Sequence, residues 1–409
     1  MDIIINRYSP RMIQVNDIPK EKLQNCIFLT PEHFKYKYEL FETQYQIKIN
    51  SVFLDDFVLP EFVNAIRKIS QTEKIDKIIT LCEEDVLFCG ILNDYFINKS
   101  SCALSNIAFK DKYVMRSLLY GVIDQPYFRL ISDKEDINKF FNISNSENAI
   151  IKPRDSAGST GVRKISKSEI KSEFFFENEW IDRFMIEEFV KIENMLTCDG
   201  YSTGSNIERL FFHEYDKLVL SSIMEGKNLL LRTHKDYFTN NNILKKCKDY
   251  CEIILKNFGV ENEVTPFHFE FFFDRVTSEI KFCEVGKRFG GGEIPTLILN
   301  SFGVNIVEEY WKRIFETIPP NFNRDFIKKP KLISAFYQAF RENGTVKNTP
   351  TINNIDWVKT FRSFVKEGEV THSSHSIVES IFYAVFTSQN EKEYKFHTEY
   401  FTDLRNNIY

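Results

Sequence analysis

Two blocks of this sequence carry residue types that do chemistry together. The first is Lys152 with the loop that follows it, PRDSAGSTG (153–161). An apolar strand, Ala149–Lys152, runs into the loop and Val162–Ile165 resumes a strand after it, so the connection is far longer than a tight turn needs. Ser156, Gly158, Ser159, Thr160 and Gly161 offer backbone N–H groups and hydroxyls that wrap phosphate oxygens, with the Lys152 ammonium beside the same anion. It is not a Walker loop, because GxxxxGK[ST] occurs nowhere in the chain. The plainer alternative is a surface hairpin.

The second block places Glu270 in FHFEFFF (267–273) and Glu284 at the end of KFCEV (281–285), each in an otherwise apolar strand. An unpaired carboxylate there costs on the order of several kcal/mol, so each needs a cation or strong donors. As hairpin neighbours the two would converge on a hard cation, and Mg²⁺ favours few carboxylates plus nucleotide phosphates. Arg288 adds positive charge at the same end; an internal Glu–Arg ion pair is the plainer alternative. His268 lies two residues before Glu270, on the same strand face, and reads equally as a structural residue or as a substrate or phosphate contact. An anion-cradling loop, a carboxylate pair and lysines on separate units together suit a nucleotide clamped between subdomains. HSSH (372–375) has no third ligand near it and His213–Glu214 lacks the second His of a zinc protease, so neither predicts a metal site.

The elements that must position these groups follow from periodicity. Short apolar strands at 2–6, 26–29 and 77–81 alternate with helical stretches at 61–69 and 86–98, which predicts βαβ units and a mainly parallel sheet. No GxGxxG follows the first strand, so a dehydrogenase-type dinucleotide fold has no support. A second unit begins near Asn106, with a helix at 111–119, extended chain at 125–131 and a strand at 183–190. From Asp199 the pattern is strand-rich; a long helix spans 241–258, closed by Gly259. Strands at 267–273 and 280–285 follow, then a helix from 304 to 317 and a final section with short strands and one late helix.

Composition excludes several classes. In 409 residues, 53 Lys plus Arg against 58 Asp plus Glu leave a net charge of −5, which argues against a protein that coats nucleic acid. No apolar run reaches the ~18–20 residues of a membrane span, and MDIIINRYSP lacks a signal-peptide apolar region, so a soluble cytoplasmic protein is expected. Eight scattered Cys without a CxxC read as buried free thiols, and the 40 Phe, many in strand-like blocks, as core.

Five pieces in order, over roughly residues 75–390, resemble the ATP-grasp carboxylate ligases: KIITLCEED, FKDKYVMRSLLYGVIDQPYF, AIIKPRDSAGSTGV, MIEEFV and FHFEFFFDRVTSEIKFCEVGKRFGGGEIP. FVKEGEV (364–370) is similar to the family's small C-terminal sheet. The resemblance implies an α/β ATP-grasp fold: an N-terminal parallel-sheet domain (1–108), a small α+β lid lobe (109–189), and a large α+β lobe with a C-terminal small-sheet subdomain (190–409). It also implies ATP and Mg²⁺, or Mn²⁺ in its place. By position, Lys112 and Lys152 would hold the α- and β-phosphates, and Ser156–Gly161 would fold over the β- and γ-phosphates. Glu187, Glu188, Phe189 and Val190 would form the hinge that reads adenine, with Phe272 under the base and Glu193 as the nearest ribose acid. Glu270 and Glu284 would hold the metal. Arg288 would steady the transferring phosphoryl group, and His268 and Gly291 would face substrate. Gly286 stands where many relatives have a metal-binding Asn, and with the "H.E…E…RF.G.…IP" spelling this is similar to the L-amino-acid ligase branch. The implied activity is ADP-forming ligation of a carboxylate to an amine through an acyl phosphate. Aminoacylation of a carrier-protein thiol, direct phosphotransfer and non-catalytic nucleotide sensing are the rivals on the same fold. Expected partners are small carboxylates and amines, amino acids among them, with a carrier protein and a second copy of the chain as further candidates. Neither nucleic acid nor membrane is expected.

Overall fold

A computed structural model describes residues 1–98, 100–168, 183–240, 242–320, 322, 325–373 and 379–409. The first sheet is parallel, with strand order β3-β2-β1-β4: β1 (Asp2–Ile5), β2 (Cys26–Pro31), β3 (Ser51–Leu54) and β4 (Lys77–Thr80). Continuous apolar strands such as Ile3–Ile5 are what a sheet covered on both faces requires. Ile3 and Ile5 pack with Phe62, Ile66 and Leu92 of the helices Leu59–Ile69 and Val86–Ile97. Ile4 and Phe28 face the opposite way, into a core shared with Tyr38 and Phe41 of the helix Lys35–Tyr45 and with Trp311. The Trp311 indole N–H donates to the Ile13 carbonyl at 2.9 Å, fastening this region to the C-terminal half. The strands expected at 2–6, 26–29 and 77–81 end within two residues of the observed ones. The helix Lys35–Tyr45 and strand β3 had no legible periodicity; only Tyr38 and Phe41 of that helix are buried.

The second sheet, antiparallel in order β5-β8-β6-β7, comprises β5 (Phe128–Leu130), β6 (Asn148–Pro153), β7 (Arg163–Ser166) and β8 (Phe184–Glu188). One face packs against Phe140 and Phe141 of the helix Lys134–Ser144.

The third sheet is antiparallel and eight-stranded. Its region contains β9 (Asn194–Thr203), β10 (Asn206–Tyr215), β11 (Asn228–Thr233), β12 (Val264–Phe273), β13 (Ile280–Gly286), β14 (Ile333–Phe340), β15 (Gly344–Thr345), β16 (Val358–Ser363), β17 (Val370–Thr371) and β18 (Ser380–Ser388). The order is β13-β12-β9-β10-β11-β14-β18-β16, with β15 and β17 forming a two-residue pair apart. The helix Asn242–Phe258 covers one face through Leu244, Cys247, Cys251 and Leu255, packed with Phe267, Phe269 and Phe271. All eight Cys are free thiols, and the Phe blocks are core as expected.

The C-terminal strands divide: β14, β18 and β16 extend the large sheet, while β15 and β17 form a separate two-stranded sheet that Val370 of FVKEGEV joins. The helix expected over 304–317 is present as Ile306–Ile314; a further helix that was not anticipated, Ile294–Phe302, precedes it and is ended by Gly303 at φ 71°. Pro295 is compatible with the first turn of that helix, where its missing N–H costs nothing. Among the described residues no helix is long and apolar enough to cross a membrane.

Candidate active site

The site lies where the ends of the three sheets meet, and each charged group in it is placed by a local device. Asp111 is the N-cap of the helix Lys112–Leu118, its carboxylate accepting from the N–H groups of Tyr113 (2.9 Å) and Val114 (3.1 Å). The same carboxylate accepts from Arg154 Nε at 3.2 Å, and Lys112 N–H donates to the Arg154 carbonyl at 2.9 Å. The helix start and the phosphate-type loop after β6 are therefore stitched together. Lys112, at the first helical position, turns its ammonium to Glu284 Oε1 at 3.0 Å and donates to the Ser156 carbonyl at the loop's entrance. Burial opposes its charge, but the Glu284 carboxylate outweighs that and holds the ammonium above its ordinary range.

In the loop, Gly158, Ser159 and Gly161 all have positive φ, 62°, 61° and 74°. Such left-handed turns aim successive N–H groups into one concavity. Lys152 pairs with Glu187 at 2.7 Å, and Glu187 also receives Arg116 Nε at 2.9 Å. Burial would raise the Glu187 pKa, but Arg116 and Lys152 hold it below the usual carboxylate range. Arg116, four residues after Lys112 and so on the same helix face, donates onward to the carbonyls of Phe282 and Cys283, both at 3.0 Å. Those carbonyls are available because β13 is the sheet's edge strand. Arg116 thus ties β8 to the strand that carries Glu284.

Glu270 and Glu284 are register partners on β12 and β13, with a bulge between Glu270 and Phe271, so both side chains leave the same face. Among the described residues Glu270 makes only long contacts, to Tyr215 Oη (3.3 Å) and His268 Nε2 (3.5 Å). Among the described residues no group of three or more His, Cys, Asp or Glu could hold a metal ion, so these two adjacent half-buried carboxylates would hold a hard divalent cation only with oxygens supplied from elsewhere. His268 Nδ1 lies 2.7 Å from Asp199 Oδ1. Burial disfavours its protonation, yet Asp199 raises the imidazole to about 9 and is itself held well below the carboxylate range. His213 flanks the other Asp199 oxygen at 3.5 Å.

Arg288 pairs with Glu83, not with Glu284. Its Nε donates to Glu83 Oε2 at 2.6 Å, and Lys110 contacts the other oxygen at 3.3 Å. Glu83 sits in the turn after β4, at the carboxyl end of the parallel sheet. Glu83 also borders Gly286: a Cβ there would stand 2.9 Å from Glu83 Oε2. Burial would raise the Glu83 pKa, but Arg288, Lys110 and Lys112 depress it to about 2 from 4.5. A depressed acid stabilises the fold above its ordinary pKa and loses that contribution as pH falls through the folded value. Thermal unfolding between pH 5 and pH 2 is thus expected to fall less steeply in Glu83→Gln, which is already less stable at pH 7, than in the parent. Parallel curves would refute this pairing as a source of acid lability.

The remaining sequence candidates are dispersed. In the hinge, the N–H groups of Glu188 and Phe189 are spent on the Tyr127 and Asn148 carbonyls, and the Glu188 carboxylate on Tyr127 N–H. Glu187 and Glu188 are thus the last residues of β8, and Val190 lies beyond the strand end. Phe189 lies under the Lys164 ammonium at 4.0 Å. Glu193 is exposed on the β8–β9 connection, and Phe272 is partly buried on the Glu270 face of β12. Gly291 faces open space. His372 is exposed and His375 lies outside the described residues. Sequence reasoning assigned no role to Glu83, Arg116 or Asp199; the acidic turn after KIITL was the one visible signal, for Glu83.

No protein-family model matches this sequence, and no curated protein matches it either. Solved structures do. An L-amino acid ligase from Bacillus licheniformis aligns with a TM-score of 0.68 at 13% identity, over 100% of this chain and 97% of that one. An N5-carboxyaminoimidazole ribonucleotide synthetase from Thermus thermophilus gives 0.66 at 13% identity, over 99% and 98%. A biotin carboxylase from Campylobacter jejuni, solved as a β,γ-ATP complex, gives 0.61 at 13%, over 96% and 88%. The chain has the ATP-grasp fold. Within that fold it is similar from end to end to an L-amino acid ligase, the branch its Gly286 spelling resembles.

Proposed function

We propose that this chain is an ATP-dependent, ADP-forming ligase that joins a carboxylate, activated as an acyl phosphate, to an amine, with amino acids as the substrate class. The observation that carries the reading is the Glu270–Glu284 register pair facing Lys112, which in turn touches the loop Ser156–Gly161. In this reading residues 109–189 act as a lid over a cleft floored by residues 190–409, and residues 1–108 close its far end. Lys112 and Lys152 exchange their carboxylate partners for ATP phosphates, Ser156–Gly161 folds over the outer phosphates, and Val190 and Phe272 hold the base. Glu270 and Glu284 would hold Mg²⁺, which supplies neutralisation of phosphate charge when bound. A substrate carboxylate oxygen attacks the γ-phosphorus and ADP leaves; Arg288 steadies the charge on the transferring group. The amine then attacks the acyl carbon and orthophosphate departs. Protonated His268, held by Asp199, and the open backbone at Gly291 orient the substrate.

A matrix of carboxylates against amines, read by mass spectrometry and phosphate release, tests this: active pairs yield ADP and orthophosphate. AMP with pyrophosphate would refute the acyl phosphate, and a stable phosphorylated product formed without amine would replace ligation by phosphotransfer. Lys152→Ala is expected to raise the ATP KM by roughly tenfold with kcat within a few fold, since it removes a contact made equally in ground and transition states. An unchanged KM would remove Lys152 from nucleotide binding.

A further inference from the structure

A cavity of about 640 Å³ lies outside the cleft just described, between the parallel sheet and the large sheet. That volume is in the range of ~300–1,000 Å³ that small-molecule sites occupy. One wall is Ile79 of β4 with Cys89 of the helix Val86–Ile97; the other is Val264 of β12 with Tyr310 of the helix Ile306–Ile314. Val264 shares a strand face with His268 and Glu270, so the cavity continues along the same sheet face beyond the candidate active site. The partition between them is the segment 287–289. Lys287 lines the cavity, and Phe289 packs edge-on against Tyr310 with ring centroids 5.3 Å apart.

The cations on the wall differ in how they are compensated. Lys287 is buried and bonded to Asn106 (2.7 Å) and Glu263 (2.8 Å), and Arg313 is buried against Glu208 (2.8 Å). Lys77 donates to the Ile314 carbonyl at 2.6 Å, and its carboxylate contact, Glu316 at 3.2 Å, is 79% exposed. Asp2 neighbours Lys77 across β1 and β4, and the Lys77 charge opposes the rise that burial imposes on the Asp2 carboxyl, but Asp2 Oδ1 has no hydrogen-bond partner among the described residues. A pair as exposed as Lys77–Glu316 contributes little, so an incoming anion displaces Glu316 readily.

We propose that this cavity is a second ligand site, separate from the nucleotide cleft, that takes a compact monoanionic amphiphile: an apolar body among Ile79, Cys89, Val264 and Tyr310, and one acid group on Lys77. The Glu83–Arg288 ion pair lies just outside the cavity, but the segments that carry it line the wall through Thr80, Val86 and Lys287. Glu83 lies between β4 and the helix Val86–Ile97, and Arg288 follows Lys287. Occupancy is therefore felt at the residues that close the cleft.

The probe is 8-anilinonaphthalene-1-sulfonate, which has an apolar body and one fixed charge, and whose sulfonate cannot serve as a carboxylate substrate. The full chain is expected to bind it saturably at one site, with enhanced emission that MgATP does not displace. Val264→Trp fills the cavity and is expected to weaken binding more than ~10-fold, and Lys77→Gln about five- to tenfold, as loss of a charge-assisted contact does. Both variants should keep the parent's ATP affinity. Wild-type affinity in both variants, or displacement by ATP, overturns the site; if Val264→Trp fails to fold, Lys77→Gln decides alone. Coupling is read separately and rests on the proposed nucleotide site. Saturating probe should change the ATP Kd at least ~3-fold in the parent and not in Val264→Trp, because linkage is reciprocal. An unchanged Kd overturns the coupling, and absence of any ATP binding would refute the nucleotide reading while leaving the probe arm standing.

Discussion

Glu284→Gln is expected to lower Mg²⁺-dependent phosphate release by roughly 10²–10³-fold while the protein stays folded, the scale of losing a preorganised charge at a phosphoryl-transfer site. Gln keeps the volume and an acceptor for Lys112 but removes the negative charge that, with Glu270, suits the pair to a divalent cation. The competing account gives Glu284 the single task of neutralising the buried Lys112 ammonium. That account predicts a lowered melting temperature with near-normal turnover. Melting temperature and phosphate release measured on this one variant separate the two, and near-normal turnover would reject the metal role.

Arg288→Ala is expected to reduce turnover by ~10²-fold or more with ATP affinity within a few fold, as loss of a contact made mainly in the transition state does. The observed Glu83 partnership adds a second expectation. Removing the guanidinium leaves the buried Glu83 carboxylate with Lys110 as its remaining contact, so Arg288→Ala also loses stability. Arg288→Lys restores charge opposite Glu83 without the planar fork, and should recover stability while turnover stays depressed. A raised ATP KM with unchanged kcat in both variants would place Arg288 in ground-state nucleotide binding instead. Full recovery of turnover by Lys would reduce its role to a point charge.

Glu270 and Glu284 were legible as a pair because both signals are local. Each interrupts an apolar strand, and only the polar turn at 274–279 separates the strands, so antiparallel pairing brings them together without help from the rest of the chain. Lys152 and its loop were legible for the same reason, the loop being bounded by two strands that pair with each other. The parallel character of the first sheet also followed from local periodicity, since uninterrupted apolar strands between helices admit few other arrangements.

What the tertiary structure alone decided is which charge meets which. Arg288 has Glu284 four residues away in sequence, yet its partner is Glu83, 205 positions distant, and Glu284 instead takes Lys112. Alternation along β13 puts a side chain on a face; it does not say which element end arrives opposite that face. That is set by docking of the parallel sheet against the large one through contacts such as Trp311 on Ile13, made by residues with no charge at all. Gly286 shows the same division. Its identity could be read as a departure from a pattern, but its neighbour could not: a carboxylate delivered from the end of β4 to within 2.9 Å of where a Cβ would stand. The sequence by itself therefore determined the strand pair, the phosphate-type loop and the parallel sheet, because short-range periodicity encodes them. The ion-pair partners and the continuation of the large sheet through β14, β18 and β16 were left to the packing of whole layers, since Coulomb partners and sheet neighbours depend on distances that no local spacing contains.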